Sequence, residues 1–107
     1  MLNFNEIDSQ EKAVELYNNG ELEVVYGMPL RFGGDDELYN MFFVPLGINE
    51  IKEGYDDIVE QLLIDEKVSS YNCDPSYKGE SFIPSKLTIS AMDDNDNIVF
   101  QEKINIW

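Results

Sequence analysis

The sequence predicts an α+β fold: one domain over residues 1–107, with two helices packed on one face of an antiparallel sheet of four to six strands. The expected order is α-β-β-α-β-β-β. Three observations carry this. Leu87, Ile89 and Ala91, and later Ile98, Phe100, Ile104 and Ile106, alternate with polar residues, the period of half-buried strands. Between Ile48 and Leu62, apolar residues recur at steps of three and four, the period of a helix. Runs rich in Gly, Asn, Asp and Pro separate these segments and supply the turns.

The first helix is expected to open at Asp8-Ser9-Gln10-Glu11, with Asp8 as N-cap and Glu11 completing a capping box. Ala13, Val14, Leu16 and Tyr17 supply its apolar side, and Asn18-Asn19-Gly20 ends it. Residues 21–32 read as a strand interrupted at Gly27-Met28-Pro29, and Gly33-Gly34-Asp35-Asp36 as the turn into a strand over 38–44. That second strand is apolar on both faces apart from Asn40, which suits a strand covered on both sides or one whose second face meets a partner. The long helix is placed from about Asn49 to Asp65. A strand over Val68–Cys73 follows, then a loop from Asp74 to Gly79, and the two alternating strands close the chain.

The charge is the unusual feature. Twenty-two Asp and Glu against seven Lys and Arg give a formal net charge of −15. Such a chain repels nucleic acid and anionic membranes and favours encounter with basic surfaces. Histidine is absent, which excludes Ser-His-Asp and Cys-His catalysis and histidine-held metals. No phosphate-cradling glycine motif is present. Cys73 is the only cysteine, so no intramolecular disulfide forms, and without a base partner it reads as a small buried hydrophobe. The first residues lack a basic and then apolar leader, and no apolar run reaches the length of a bilayer span. A cytoplasmic protein without cofactor or metal is expected.

Residues 93–97, Asp-Asp-Asn-Asp-Asn, resemble the start of a calcium loop, but position 6 is Ile98 and position 12 is Ile104, where Gly and Glu are required. The stretch is therefore expected to be a hairpin turn. On the long helix, with Ile48 at zero on a 100° wheel, the stripe of Ile51, Tyr55, Ile58 and Leu62 centres near ~320°. Glu50, Glu53, Asp57 and Glu60 fall opposite, at ~120–200°, with Asp56 on their flank and Lys52 near the flank of the core. The pairs Glu53/Asp57 and Asp56/Glu60 repel at i,i+4, which a cationic partner would relieve. Ile64 also falls on this side, where it either marks the helix end or serves as an apolar anchor, and Tyr71, Asp74 and Tyr77 extend the candidate contact surface.

The expected function is binding without catalysis: a small acidic protein that neutralises a basic protein partner. An immunity protein that inhibits a cognate toxin, such as a nuclease with a phosphate-gripping cleft, fits this best. A phage-encoded DNA mimic acting on a host nuclease or defence complex, and a non-catalytic adaptor domain, are the alternatives.

Overall fold

The computed structural model describes residues 2–107. A 3-10 turn at Phe4–Glu6 leads into helix α1, Gln10–Asn18. Its N-cap is Ser9 rather than Asp8: the Ser9 hydroxyl accepts from the Lys12 backbone N–H. Asp8 instead binds the Lys12 ammonium at 2.8 Å, which holds its carboxyl below the usual range. The helix ends where expected, with Gly20 at positive φ.

Strand β1 (Leu22–Tyr26) pairs antiparallel with β2 (Met41–Pro45), Val24 opposite Phe43. Both are shorter than their apolar runs suggest. Leu30–Phe32 and Leu38–Asn40, read as strand in the sequence, are 3-10 turns within a folded connection. One side chain organises that connection. Asn40 accepts from Met28 N–H at 2.8 Å and donates to the carbonyls of Met28 and Asp35 at 2.8 and 2.9 Å. The backbone of Gly34 lies so close to Met28 that a Cβ would sit 2.0 Å from its carbonyl oxygen, so only glycine fits.

Helix α2 spans Ile48–Ile64. Its N-cap, Gly47, has no side chain to offer, and Glu23 of β1 replaces it by accepting from the Gly47 and Asn49 N–H groups, both at 2.8 Å. A carboxylate there also meets the positive end of the helix dipole. Strands β3 (Ser70–Ser76), β4 (Lys86–Met92) and β5 (Ile98–Asn105) form an antiparallel sheet in that order. β3 runs through Asp74, Pro75 and Ser76, which the sequence reading assigned to a loop. Pro75 is tolerated because β3 is an edge strand.

The α+β class and the order of elements hold, and among the described residues all pairings are antiparallel, but the five strands divide into a hairpin and a three-stranded sheet instead of forming one. Strand alternation explains why. Leu22 and Phe43, on one face of the hairpin, pack with Ala13 of α1 and with Ile83. Val25 and Val44, on the other face, pack with Leu87, Ile89 and Ile104, with Ile48 and Tyr55 of α2 beside them. The hairpin is thus a middle layer covered from both sides, as the two-sided apolarity of 41–44 implied.

The turn at 93–97 is a hairpin connection. Asp93 accepts from the N–H groups of Asn95 and Asn97, both at 2.9 Å, and Asp96 adopts positive φ. The Asn97 N–H, foremost, holds the Asp93 carboxyl below its ordinary range.

Candidate functional site

Helix α2 presents its residues differently from the wheel drawn through its isoleucines. Lys52 and Asp56 are only 2% and 4% exposed, whereas Ile51 and Ile58 are 47% and 48% exposed. The most buried positions, Lys52, Asp56 and Val59, centre near ~45°, about a quarter turn from the isoleucine stripe. The connection between β1 and β2 covers this side of the helix: Phe32 packs edge-on against Tyr71 at 5.3 Å and joins the cluster around Val59 and Val68.

Asp56, expected on the acidic contact face, is therefore part of the interior. Its carboxylate binds the Lys52 ammonium at 2.7 Å. Tyr71 of β3 closes the group, its hydroxyl donating to Asp56 at 2.7 Å and accepting from Lys52 at 3.0 Å. Burial, and then the bond to Asp56, raises the Tyr71 phenol well above its usual range. Among the described residues, no buried side-chain polar atom lacks a hydrogen-bond partner. A buried cluster in which every member is bonded to the other two acts as a structural lock.

The remaining acids of α2 stay outside but are not uniformly free. Arg31, carried by the 3-10 turn at Leu30–Phe32, reaches across to Asp57 at 2.6 Å, Glu60 at 2.8 Å and the Glu53 carbonyl at 3.4 Å. It relieves part of the repulsion expected along this face. Glu50 and Glu53 remain exposed, and among the described residues no salt bridge reaches either carboxylate. Ile64 is exposed at the last residue of α2. Asp74 lies on the outward face of β3, opposite in side from Tyr71, and accepts from Asn72 at 2.8 Å. Tyr77, exposed just past β3, is at the other end of that strand from Tyr71.

The structure thus brings Glu50, Glu53, Asp57 and Glu60 together on one face, joins Asp56 to Tyr71 beneath it, and separates Asp74 and Tyr77 from both. Sequence reasoning missed Arg31. Its only signal was a lone cation in an otherwise acidic and apolar connection.

Two clefts open beside α2. One, of about 250 Å³, is lined by Tyr26, Leu30, Arg31, Asn49 and Glu53, with Lys52 and Asp56 of the lock at its base. The other, of about 660 Å³, lies between α1 and the hairpin, over Val24, Met41 and Phe43. Cys73 is half-buried, and burial pushes its thiol up to about 11, which disfavours the nucleophilic thiolate. Among the described residues, no group of three or more His, Cys, Asp or Glu side chains converges as metal ligands would, and no helix is long and apolar enough to cross a membrane.

Fold and site together define an α+β domain with an acidic surface set over a buried ionic cluster. The chain matches no protein-family model, and no match to a curated protein or a solved structure was found.

Proposed function

We propose that this protein acts by stoichiometric binding to a basic protein partner, most simply as an immunity protein that masks the positive cleft of a cognate toxin such as a nuclease. The observation that carries this reading is where the charge lies. Lys52 and Asp56 cancel inside the fold, which leaves the entire formal net charge of −15 to the surface. A surface so biased steers cationic partners and competes with phosphates for a nuclease cleft. Glu50 and Glu53 supply free carboxylates on α2, and the Asp57–Arg31–Glu60 bridges hold the same face in one arrangement. A phage-encoded DNA mimic would use the same surface against a non-cognate nuclease, and gene neighbourhood distinguishes the two.

The test begins with the immobilised protein in extract of its source at low salt, eluted by a salt gradient. A basic enzyme should be released, and equimolar addition of the acidic protein should abolish that enzyme's activity. With that enzyme in hand, Glu50→Lys/Glu53→Lys should slow association steeply at low salt and less at high salt, while reversal of Asp93, Asp94 and Asp96 should matter less. An eluted enzyme that works unimpaired under excess acidic protein would remove the reading.

A further inference from the structure

An acidic helix face steers a partner but provides little to hold it, because exposed charges gain little on contact. The cleft between α1 and the β1–β2 hairpin has the complementary property. Its floor is Val24, Met41 and Phe43, and its walls are Tyr17 from α1 and Leu38 from the connection, 46% and 50% exposed. Large apolar side chains left open around a concavity are a signature of a contact surface. Among the described residues, no lysine or arginine lines this cleft; Asp36 does, and its neighbours Asp35 and Glu37 are exposed on the same turn.

The walls are set before any partner arrives. The Tyr26 hydroxyl donates to Asp36 at 2.6 Å, and Tyr39 donates to Asp35. The Asn40 bonds and the close approach at Gly34 fix the rest of the turn. A preformed wall avoids the ordering entropy that weakens binding by mobile loops. The two clefts also meet, since Tyr26 and Asn49 line both. The adjoining clefts form a trough from the apolar floor beside α1 toward Glu53 on α2, past Arg31, whose charge is taken up by Asp57 and Glu60.

We infer that this trough is the docking site for a basic polypeptide segment of the partner, which seats one or two apolar side chains over Val24 and Met41 and lays its lysines or arginines toward Asp36 and Glu53. The inference rests on the proposed function and adds to it the anchor that the acidic face lacks. A second copy of this chain is a poor occupant, because it would bring another −15 against an acidic rim.

A short alternating lysine–leucine peptide, with oligolysine and an alternating glutamate–leucine peptide as controls, tests this by amide chemical-shift mapping on the intact protein. The lysine–leucine peptide should saturate, with shifts at Val24, Leu38 and Met41, and should bind more tightly than oligolysine. Leu38→Lys should weaken it about tenfold or more, as loss of an anchor does. Ile98→Lys should not, because the exposed Ile98 of β5 lines neither cleft. If Leu38→Lys disturbs the spectrum beyond the connection, Tyr17→Ser on the opposite wall takes its place. Equal affinity for oligolysine, or shifts confined to Glu50 and Glu53, would overturn the docking site and leave the basic-partner reading standing. Binding of neither basic peptide at low salt would remove both.

Discussion

The group formed by Lys52, Asp56 and Tyr71 makes a prediction that separates a structural lock from an incidental contact. Each member bonds to both of the others, so removing one leaves the remaining two with a single partner each, and removing either charged member leaves a buried charge without its counter-charge. Lys52→Met keeps most of the buried stem but strands the carboxylate, and loss of one partner of a buried ion pair typically costs ~3–5 kcal/mol. A domain of this size has a stability on the order of 5–15 kcal/mol, so the variant should be severely weakened. At a urea slope of ~2 kcal/mol per M, a loss of ~4 kcal/mol lowers the midpoint by ~2 M. Asp56→Leu should behave alike. Tyr71→Phe should lose less, ~1–3 kcal/mol, since it withdraws one hydroxyl and leaves the ion pair intact. The Lys52→Met/Asp56→Leu double variant should recover only in part, because the Tyr71 hydroxyl then has no partner. Adding Tyr71→Phe should bring the midpoint close to the parent, since apolar replacement of an entire buried ionic group is often neutral or better. Equilibrium urea unfolding by circular dichroism on all five variants reads this directly. Single variants within ~0.5 kcal/mol of the parent would show that water reaches the group, and the reasoning from burial would fail.

Arg31→Ala should lower the melting temperature by a few degrees at low salt, consistent with the ~1 kcal/mol or less expected of a partly exposed bridge, and should make the protein more salt-stabilised than the parent. Thermal scans at two ionic strengths check it, and an unchanged salt response would mean that Arg31 compensates nothing. Gly34→Ala should destabilise by ~1–3 kcal/mol through its clash with the Met28 carbonyl, and it should disturb the amide signals of Met28 and Asn40 first. Cys73 should react slowly with a disulfide reagent at pH 8 and faster toward pH 11. Because its folded pKa lies above the unfolded one, the folded state holds the proton longer, so stability should fall as pH rises from about 9 to about 11. A midpoint that climbs over that range would contradict the buried thiol.

Much of the fold was legible in the sequence. The alternation in Leu87, Ile89 and Ala91 places all three inward, and the 3-4 spacing located α2 to within a residue at each end. What misled was chemistry that only pays across the chain. Lys52 and Asp56 at i,i+4 look like a surface pair, and nothing nearby in sequence says that Tyr71 completes them. Ile51 and Ile58 look like core, yet the connection bearing Phe32 and Arg31 turns the helix toward its other flank. Leu38-Tyr39-Asn40 has strand-like composition, but the Asn40 side chain bonds backbone groups of the connection and so favours a turn. The acidic face was visible from spacing alone; its partial neutralisation by Arg31, and the trough beside it, depend on contacts between distant segments.

The Asn40 clasp has a consequence in time. Connections that carry Leu, Tyr and Phe on a surface are ordinarily cut quickly by chymotrypsin-like proteases when they open easily into the extended form that cleavage requires. Here the N–H groups of Gly27, Met28, Gly34 and Asn40 are all engaged within the connection. Their hydrogen exchange should therefore be slow and should resemble that of β1 and β2, with no faster local opening. If the connection opens only with the hairpin, digestion at Leu30, Leu38 and Tyr39 should be no faster than global unfolding, and early cleavage there would show that the clasp opens on its own.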